Sequence, residues 1–393
     1  MRKFRTLLTL VLFLCCSISG CSSNSGKSHL QKTYIWNLSR IDFIKRSGRN
    51  NYLWQYVVKQ ANEIDGSKLV CITDKEKTIS GDKHNYESLS VYVWPDTTKK
   101  DGLPWKNCDG VMNPLLYKYD LPRINTLDKN LTTLALAYYI TGDNKYYELY
   151  VKQIQYWFIN DSTRMNPKFD YAQFEPGHNG NRGNYWGLIE AYPLNNVLES
   201  IRLVSRRNAK FRRGIVPKLD KWFDEFGNWW KISNLGKKES QTGNNHAIAY
   251  DELYINIAIF INDKEMLKEG RDNFVNHVKE QINSETGQQM AELKRTRAYH
   301  YTAFNLTHIV DILSILNNVG LSVNADVTNL VYKAFAYIMQ YKDNKKAFPF
   351  KNITNDWDSI SNSLVIENTR FQNLEGRKVK VTSNYANINS IIK

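Results

Sequence analysis

The chain is poor in cysteine and proline, having five cysteines and nine prolines among its 393 residues. Cys15 and Cys16 lie in an apolar N-terminal run, and Cys21 follows that run. Only Cys71 and Cys108 remain for the rest of the chain, which excludes a disulfide-rich scaffold. Whether these two cysteines pair in an oxidising compartment stays open at this stage.

Long apolar runs are also absent, since the longest one, residues 7–16, is too short to cross a bilayer. Basic residues precede this run and the small residues of 17–20 follow it, so we predict a signal peptide over residues 1–20. The tetrapeptide ISGC, ending at Cys21, fits the bacterial lipobox. We therefore expect a lipid on Cys21, a tether over residues 21–30, and an exported lipoprotein of the periplasm or outer-membrane surface. A plain secretory signal is the alternative.

Acidic residues are in deficit, with 39 Asp and Glu against 53 Lys and Arg, for a formal net charge of +14. A basic exported chain favours an acidic partner, and outside the cytoplasm that partner is more readily an acidic polysaccharide than nucleic acid. The aromatic content of 13% suits stacking on sugar rings, although aromatic cores have the same composition. We expect a polysaccharide partner and membrane contact through the lipid, and infer neither nucleic acid nor an obligate protein partner.

No Pro-, Gly- or Ser-rich linker divides residues 31–393, which we predict to be a single domain. Helical periodicity dominates, and alternation typical of a strand is confined to residues 377–382. The amphipathic runs lie at about 41–64, 126–142, 147–158, 188–209, 213–233, 246–262, 264–284, 298–317 and 325–342. Two irregular stretches, 68–109 and 165–183, read as ordered loops. The predicted fold class is all-α: an (α/α) toroid or incomplete barrel of antiparallel helix pairs with long cleft-lining loops.

The stretch NNHAIAYD, residues 244–251, is the first candidate for chemistry. Asn244 or Asn245 can cap a helix, because a short amide side chain accepts hydrogen bonds from the free N–H groups of the first turn. His246 then shares the apolar face of that helix with Tyr250 and points inward. A lone histidine on such a face is often only a core residue. A functional role for His246 therefore needs support from a second stretch of the sequence.

The second stretch, residues 292–306, places Arg295 just ahead of a helix on which Arg297 and Tyr301 share a face. Two arginines beside a tyrosine favour the phenolate, so we predict a lowered pKa for Tyr301 and a role as proton carrier. A basic turn that merely caps the helix is the alternative.

Five motifs occur in a fixed order along the chain: YxSxxxYxWPD, DGxxNP, TRMNPxxxYAQxxPGxNGNRG, NNHxxxYD and ELxRTRxxHYxxFNL. They occupy residues 86–96, 109–114, 163–183, 244–251 and 292–306. Together they resemble the alginate-lyase-type polysaccharide lyases with an (α/α) barrel. The resemblance spans about 85–310 and is closest to polysaccharide lyase family 38, with family 5 more distant.

The resemblance implies β-elimination in a 1,4-linked polyuronate, most often alginate, with glucuronan or another uronate polymer as the alternative. Such a site must neutralise the sugar carboxylate, take the C5 proton and protonate the departing O4. At the matching positions, Asn245 and Arg295 would neutralise the carboxylate, while His246 and Tyr301 would transfer protons, with Tyr301 as the acid. No cofactor is expected. Further sugar-binding candidates are Gln173, Asn179, Arg182, Trp186, Tyr250, Arg297 and His300.

Three other functions are compatible with parts of this pattern. A glycoside hydrolase would need two carboxylates flanking the scissile bond, for which Asp251 and Glu292 are candidates. A glycan-binding lipoprotein would keep the charge and aromatics without catalysis. A metal site would use His178, His246 and His300, but HxxxH and HExxH spacings are absent and we expect no metal.

Overall fold

The computed structural model describes residues 29–379 and 388–393. The predicted signal peptide and Cys21 lie outside the described residues. Half of the predicted strand at 377–382 does too, and its first three residues are irregular.

Helices make up most of the described chain. Their bounds are α1 Leu38–Ser47, α2 Tyr52–Asn62, α3 Leu121–Thr141, α4 Asn144–Ile154, α5 Leu194–Arg207, α6 Ala209–Gly214, α7 Val216–Ile232, α8 Asn234–Glu239, α9 Asn245–Ile261, α10 Lys264–Gln281, α11 Met290–Leu293, α12 Ala298–Val319, α13 Ala325–Met339, α14 Trp357–Leu374 and α15 Ile388–Ile392. The strands are β1 Glu87–Leu89, β2 Val93–Trp94, β3 Lys106–Asn107 and β4 Tyr171–Phe174.

Inner and outer helices alternate along the chain. The inner helices α3, α5, α9 and α12 pack on one another in that order, and outer helices α4, α10 and α13 pack against them. Helix α9 is buried along nearly its whole length, whereas α10 buries one stripe formed by Met266, Gly270, Phe274, Val278 and Gln281. A helix that is buried all round belongs to an inner layer, and a one-striped helix to a surface. The predicted (α/α) toroid is confirmed.

Some element boundaries differ from the prediction. The run at 41–64 forms two helices because Gly48, with φ of 66°, ends α1 and the Asn51 side chain caps α2. Helix α5 begins only after Pro193. Helix α14 was not predicted, although it packs against α12.

Two small sheets lie within the stretches predicted as loops. Strand β1 pairs in parallel with β4, and β2 pairs antiparallel with β3. Each strand has two to four residues, so none is long enough to show a clear alternation of apolar and polar positions. The β1–β4 sheet ties the stretch around residue 88 to the stretch around residue 172, and the β2–β3 sheet closes a hairpin within residues 93–107.

Cys71 and Cys108, whose pairing the sequence left open, are free thiols. Cys71 is buried and Cys108 is exposed, and neither forms a disulfide. None of the described helices is both long and apolar enough to cross a bilayer.

A buried carboxylate anchors the N-terminal end of the described chain to the inner layer. The backbone N–H groups of Tyr34, Ile35 and Trp36 donate to Oε2 of Glu199 at 2.8, 3.0 and 3.0 Å. The other oxygen, Oε1, accepts from Arg202 at 2.6 Å, and both side chains are fully buried. One carboxylate thus accepts from three backbone amides and one guanidinium nitrogen away from water.

We expect Glu199→Gln to destabilise the fold by about 3–5 kcal/mol, because a neutral amide leaves Arg202 buried without its counter-charge. The midpoint of urea unfolding measures the change. Glu225→Gln is the matched control, since Glu225 lies 3.9 Å from Lys221 in an exposed pair whose loss should cost at most about 1 kcal/mol. Equal midpoints for the two variants would show that Glu199 does not anchor the segment.

Candidate active site

One cleft, of about 510 Å³, opens where the two small sheets meet the ends of the inner helices. Its lining comes from the β1–β3 region, from β4 and the segment after it, and from the starts of α9 and α12. The lining residues are Ser90, Val91, Tyr92, Asn107, Asp109, Gln173, Glu175, Trp186, Ile189, Asn245, His246, Arg295 and Tyr301. The four residues predicted to carry catalysis therefore line a single cleft.

Helix N-termini contribute to the electrostatics of this cleft. Asn245 is the first residue of α9, and Tyr301 lies in the first turn of α12. The free N–H groups and the helix dipole give such ends a partial positive charge. The cleft is therefore suited to an anionic ligand.

Asn245 is held by a buried carboxyl group beneath it. Its backbone N–H donates to Oε1 of Glu292 at 2.7 Å, and its side-chain Nδ2 donates to Oε2 at 2.6 Å. Burial raises the pKa of Glu292, although the hydrogen bonds from Asn245 lower it in part. An amide nitrogen carries two hydrogens, so one remains that Glu292 does not engage.

His246 is oriented by a second buried carboxyl group. Its Nδ1 lies 2.8 Å from Oε1 of Glu239, the last residue of α8. Burial raises the pKa of Glu239, and the charge and hydrogen bond of His246 oppose this only in part. With Nδ1–H donating to a carboxylate, the lone pair of the neutral ring lies on Nε2. His246 is thus prepared to accept a proton at Nε2.

Arg295 joins an anion and an aromatic ring. Its guanidinium donates to Oδ1 of Asp109 at 2.8 Å and lies 3.9 Å from the centre of the Tyr301 ring. Burial raises the pKa of Asp109, but the hydrogen bond and charge of Arg295 outweigh burial and hold that pKa below its usual value. The pair fixes the guanidinium at the wall of the cleft.

The predicted lowering of the Tyr301 pKa is wrong. Burial raises this pKa, and the neighbouring Tyr92 raises it further, while Arg295 lowers it by less. The Tyr92 and Tyr301 hydroxyls are 2.8 Å apart. Tyr301 therefore stays a neutral phenol that can donate a proton. Tyr92 was not singled out from the sequence, although it lies inside the motif at 86–96.

Gln173 and Trp186 also reach the cleft. Gln173 has φ of 48°, which a residue with a Cβ adopts at a cost and which is common at functional sites. The segment after β4 packs closely on the strand, since a Cβ on Gly183 or Gly187 would lie 2.6 or 2.4 Å from the Ala172 backbone. Both glycines are needed for this close approach.

Tyr250 does not reach the cleft. It stacks on Trp230 at 5.1 Å and donates its hydroxyl to the Trp230 carbonyl at 3.0 Å. Its assignment to sugar binding is corrected to core packing.

The remaining four sugar-binding candidates lie outside the cleft lining. Arg297 donates to Asp356 at 3.0 Å, and Nδ1 of His300 lies 3.7 Å from the same carboxylate. Burial and the Arg297 charge lower the pKa of His300 to about 4, with Asp356 opposing them. Asn179 and Arg182 lie on an exposed turn, where Arg182 sits 5.4 Å from the Tyr171 ring.

The two carboxyl groups considered for a hydrolase both form hydrogen bonds with other side chains. Asp251 is fully buried and accepts from His277 at 2.6 Å, and burial raises its pKa to about 6. Both oxygens of Glu292 are engaged by Asn245. Neither residue lines the cleft.

The three histidines considered for a metal have separate partners. His178 contacts the Trp105 carbonyl at 2.9 Å, and the contacts of His246 and His300 are given above. In residues 29–379 and 388–393, no three His, Cys, Asp or Glu side chains form a metal-binding group.

The helical toroid brings an amide, a guanidinium, an imidazole and a phenol to one cleft. The family model described as alginate lyase matches residues 70–348. The chain therefore belongs to the alginate lyase family and is a polysaccharide lyase. The finer placement in family 38 stays a prediction.

Solved structures resemble the chain over most of its length. An alginate lyase from Bacteroides ovatus is 27% identical, with a TM-score of 0.82 over 92% of this chain and 99% of that one. Alginate lyase A1-III of Sphingomonas species A1, as a histidine-to-alanine variant with a tetrasaccharide, is 14% identical, with a TM-score of 0.55 over 88% of each chain. A tyrosine-to-phenylalanine variant of A1-III, also with a tetrasaccharide, is 15% identical, with a TM-score of 0.51 over 82% of this chain and 80% of that one. A search of curated proteins gives no significant match.

We expect Glu239→Gln to lower kcat by roughly 10²–10⁴-fold, because a neutral amide no longer fixes the His246 tautomer or stabilises the imidazolium that forms when Nε2 takes a proton. The rate is followed by the ultraviolet absorbance of the unsaturated product on a polyuronate. Glu225→Gln, far from the cleft, should keep the wild-type rate, and a thermal melt checks that both variants are folded. A wild-type kcat in folded Glu239→Gln would remove Glu239 from the site.

Proposed function

We propose that this polysaccharide lyase cleaves alginate by β-elimination, using Asn245, His246, Arg295 and Tyr301. The observation that carries the proposal is that these four side chains line one cleft, with Asn245 and His246 in the first turn of α9 and Tyr301 in the first turn of α12. The Bacteroides ovatus relative, described as an alginate lyase, supports this choice of polymer. Glucuronan is the second candidate, because its sugar differs from those of alginate only in the orientation of ring substituents.

The first requirement of the reaction is to neutralise the uronate carboxylate, since the C5 proton is too weakly acidic beside a free anion. Arg295 supplies positive charge, and Asn245 supplies the amide hydrogen that Glu292 leaves free. Both side chains are held by buried or ion-paired partners, so little reorganisation is needed when the substrate binds.

The second requirement is proton transfer. A base takes the C5 proton, the C–H electrons form the C4–C5 double bond, the C4–O4 bond breaks, and O4 receives a proton. His246 is the base through Nε2, and Tyr301 is the acid. The raised pKa of Tyr301 keeps its proton available across the neutral range.

We expect Tyr301→Phe to lower kcat on alginate by roughly 10²–10⁴-fold with little change in KM, because the acid is lost while the ring is kept. The assay compares mannuronate-rich, guluronate-rich and glucuronate polymers by absorbance of the unsaturated product. Tyr117→Phe, at an exposed surface position, makes the same chemical change and should be silent. Undiminished turnover in Tyr301→Phe would remove Tyr301 from the mechanism, and no reaction with any polymer would defeat the proposal.

We also propose that the enzyme is exported and held at a membrane by a lipid on Cys21, on the strength of the ISGC sequence after a short apolar run. Expression of the full chain in a bacterium with lipoprotein processing should place it in the membrane fraction. Cys21→Ala should move it to the soluble fraction, whereas Cys71→Ala should not. An unchanged distribution in Cys21→Ala would rule out the anchor.

A further inference from the structure

Glu190, a buried carboxyl group, lies behind the Gln173 side of the cleft and takes no part in the proposed proton transfers. Its Oε2 accepts from the Tyr86 hydroxyl at 2.9 Å and from the Ser88 hydroxyl. Its Oε1 is buried without a hydrogen-bond partner of good geometry. Such an oxygen is costly to leave unpaired, so a role for it is expected.

Gln173 connects this carboxyl group to the cleft. Its backbone N–H donates to Oγ of Ser88 at 2.7 Å, which places it on the same small cluster. Its side-chain amide favours the ionised Glu190 carboxylate and so lowers the pKa of that group, although no hydrogen bond of good geometry joins the two side chains. The same side chain lines the cleft, and its backbone is held at a φ of 48°. Gln173 is therefore the residue through which Glu190 can act on a bound sugar.

Acidic groups near Glu190 are not matched, among the described residues, by a cation in contact with its carboxyl group. Asp120, at the start of α3, disfavours its ionisation, while the charge of Asp120 is itself offset by Lys75 and Arg123. On the neighbouring α8, Glu239 is paired with His246. No cation contacts Glu190 within the described parts of the chain. Burial, the largest effect, raises its pKa to about 7, with the hydrogen bonds from Ser88 and Tyr86 and the amide of Gln173 opposing it.

We propose that Glu190 is a positioning residue that determines which end of the Gln173 amide faces the substrate. An ionised Glu190 accepts a hydrogen bond from Nε2 of Gln173 and turns the amide oxygen to the cleft. A protonated Glu190 donates to that oxygen and turns the N–H donors to the cleft. Because the substrate carries carboxylates, donors bind it better than an acceptor does. This inference rests on the proposed function.

The measurement is KM and kcat on the polyuronate that the enzyme cleaves, at pH values from about 5.5 to 8.5, a window around the raised pKa of Glu190. In wild type, KM should rise roughly 2- to 10-fold as Glu190 ionises, the value of about one hydrogen bond. In Glu190→Gln the new amide donates to Gln173 at every pH, so KM should stay at the low-pH wild-type value. The kcat profile should be unchanged, which a merely structural defect would not produce.

A second variant keeps the carboxyl group. Tyr86→Phe removes one hydrogen bond that favours the carboxylate and should move the KM inflection upward by up to about one pH unit. Glu225→Gln should leave the profile as in wild type. If Glu190→Gln does not fold, the shift of the KM inflection in Tyr86→Phe tests the proposed role of Glu190.

An active wild type whose KM is independent of pH would overturn this inference, as would a wild-type inflection in Glu190→Gln. An unshifted inflection in Tyr86→Phe would do the same. These outcomes leave the lyase proposal intact. A wild type that cleaves no polyuronate defeats the lyase proposal, and this inference with it.

Discussion

Buried carboxyl groups beneath a polar cleft are the constraint on which the site depends. Glu292 holds Asn245, and Glu239 holds His246, each through hydrogen bonds of 2.6–2.8 Å. Removing a carboxylate from water is costly, and hydrogen bonds from the site residues offset part of that cost. The same hydrogen bonds orient the amide and the imidazole before a sugar arrives. Stability and preorganisation therefore have one physical source here.

The toroid supplies the frame that makes this arrangement possible. The inner helices α9 and α12 start at the cleft, so Asn245 and Tyr301 stand on rigid helix termini rather than on free loops. The small sheets then carry Tyr92 and Asp109 to the opposite wall, where Tyr92 meets Tyr301 and Asp109 meets Arg295. Residues more than 180 positions apart in the chain thus meet within hydrogen-bond distance.

The helices and the four central site residues could be predicted because periodicity and motif order depend on local sequence. The burial of an individual side chain cannot be predicted from local sequence. The predicted direction of the Tyr301 pKa shift was wrong. Sequence spacing reveals the nearby arginines, but it shows neither the burial of Tyr301 nor its contact with Tyr92. Tyr250 was misplaced because α9 is buried on nearly every side, so its periodicity does not say which face meets the cleft. Glu239 and Glu190 have no local signal, since their role comes from tertiary contacts alone.

The net charge of the chain and the charge of the cleft act on a substrate at different ranges. Asp109 balances Arg295, and Glu175 adds a second carboxyl group, so the cleft lining holds two carboxyl groups against one guanidinium. In the proposed mechanism, neutralisation of a bound uronate then comes from one guanidinium, one amide and the helix N-termini acting at short range. The excess of basic residues over the whole chain acts at longer range, by attracting an acidic polymer. Salt should therefore weaken the capture of substrate more than the chemical step, because exposed charges are screened and the buried contacts are not.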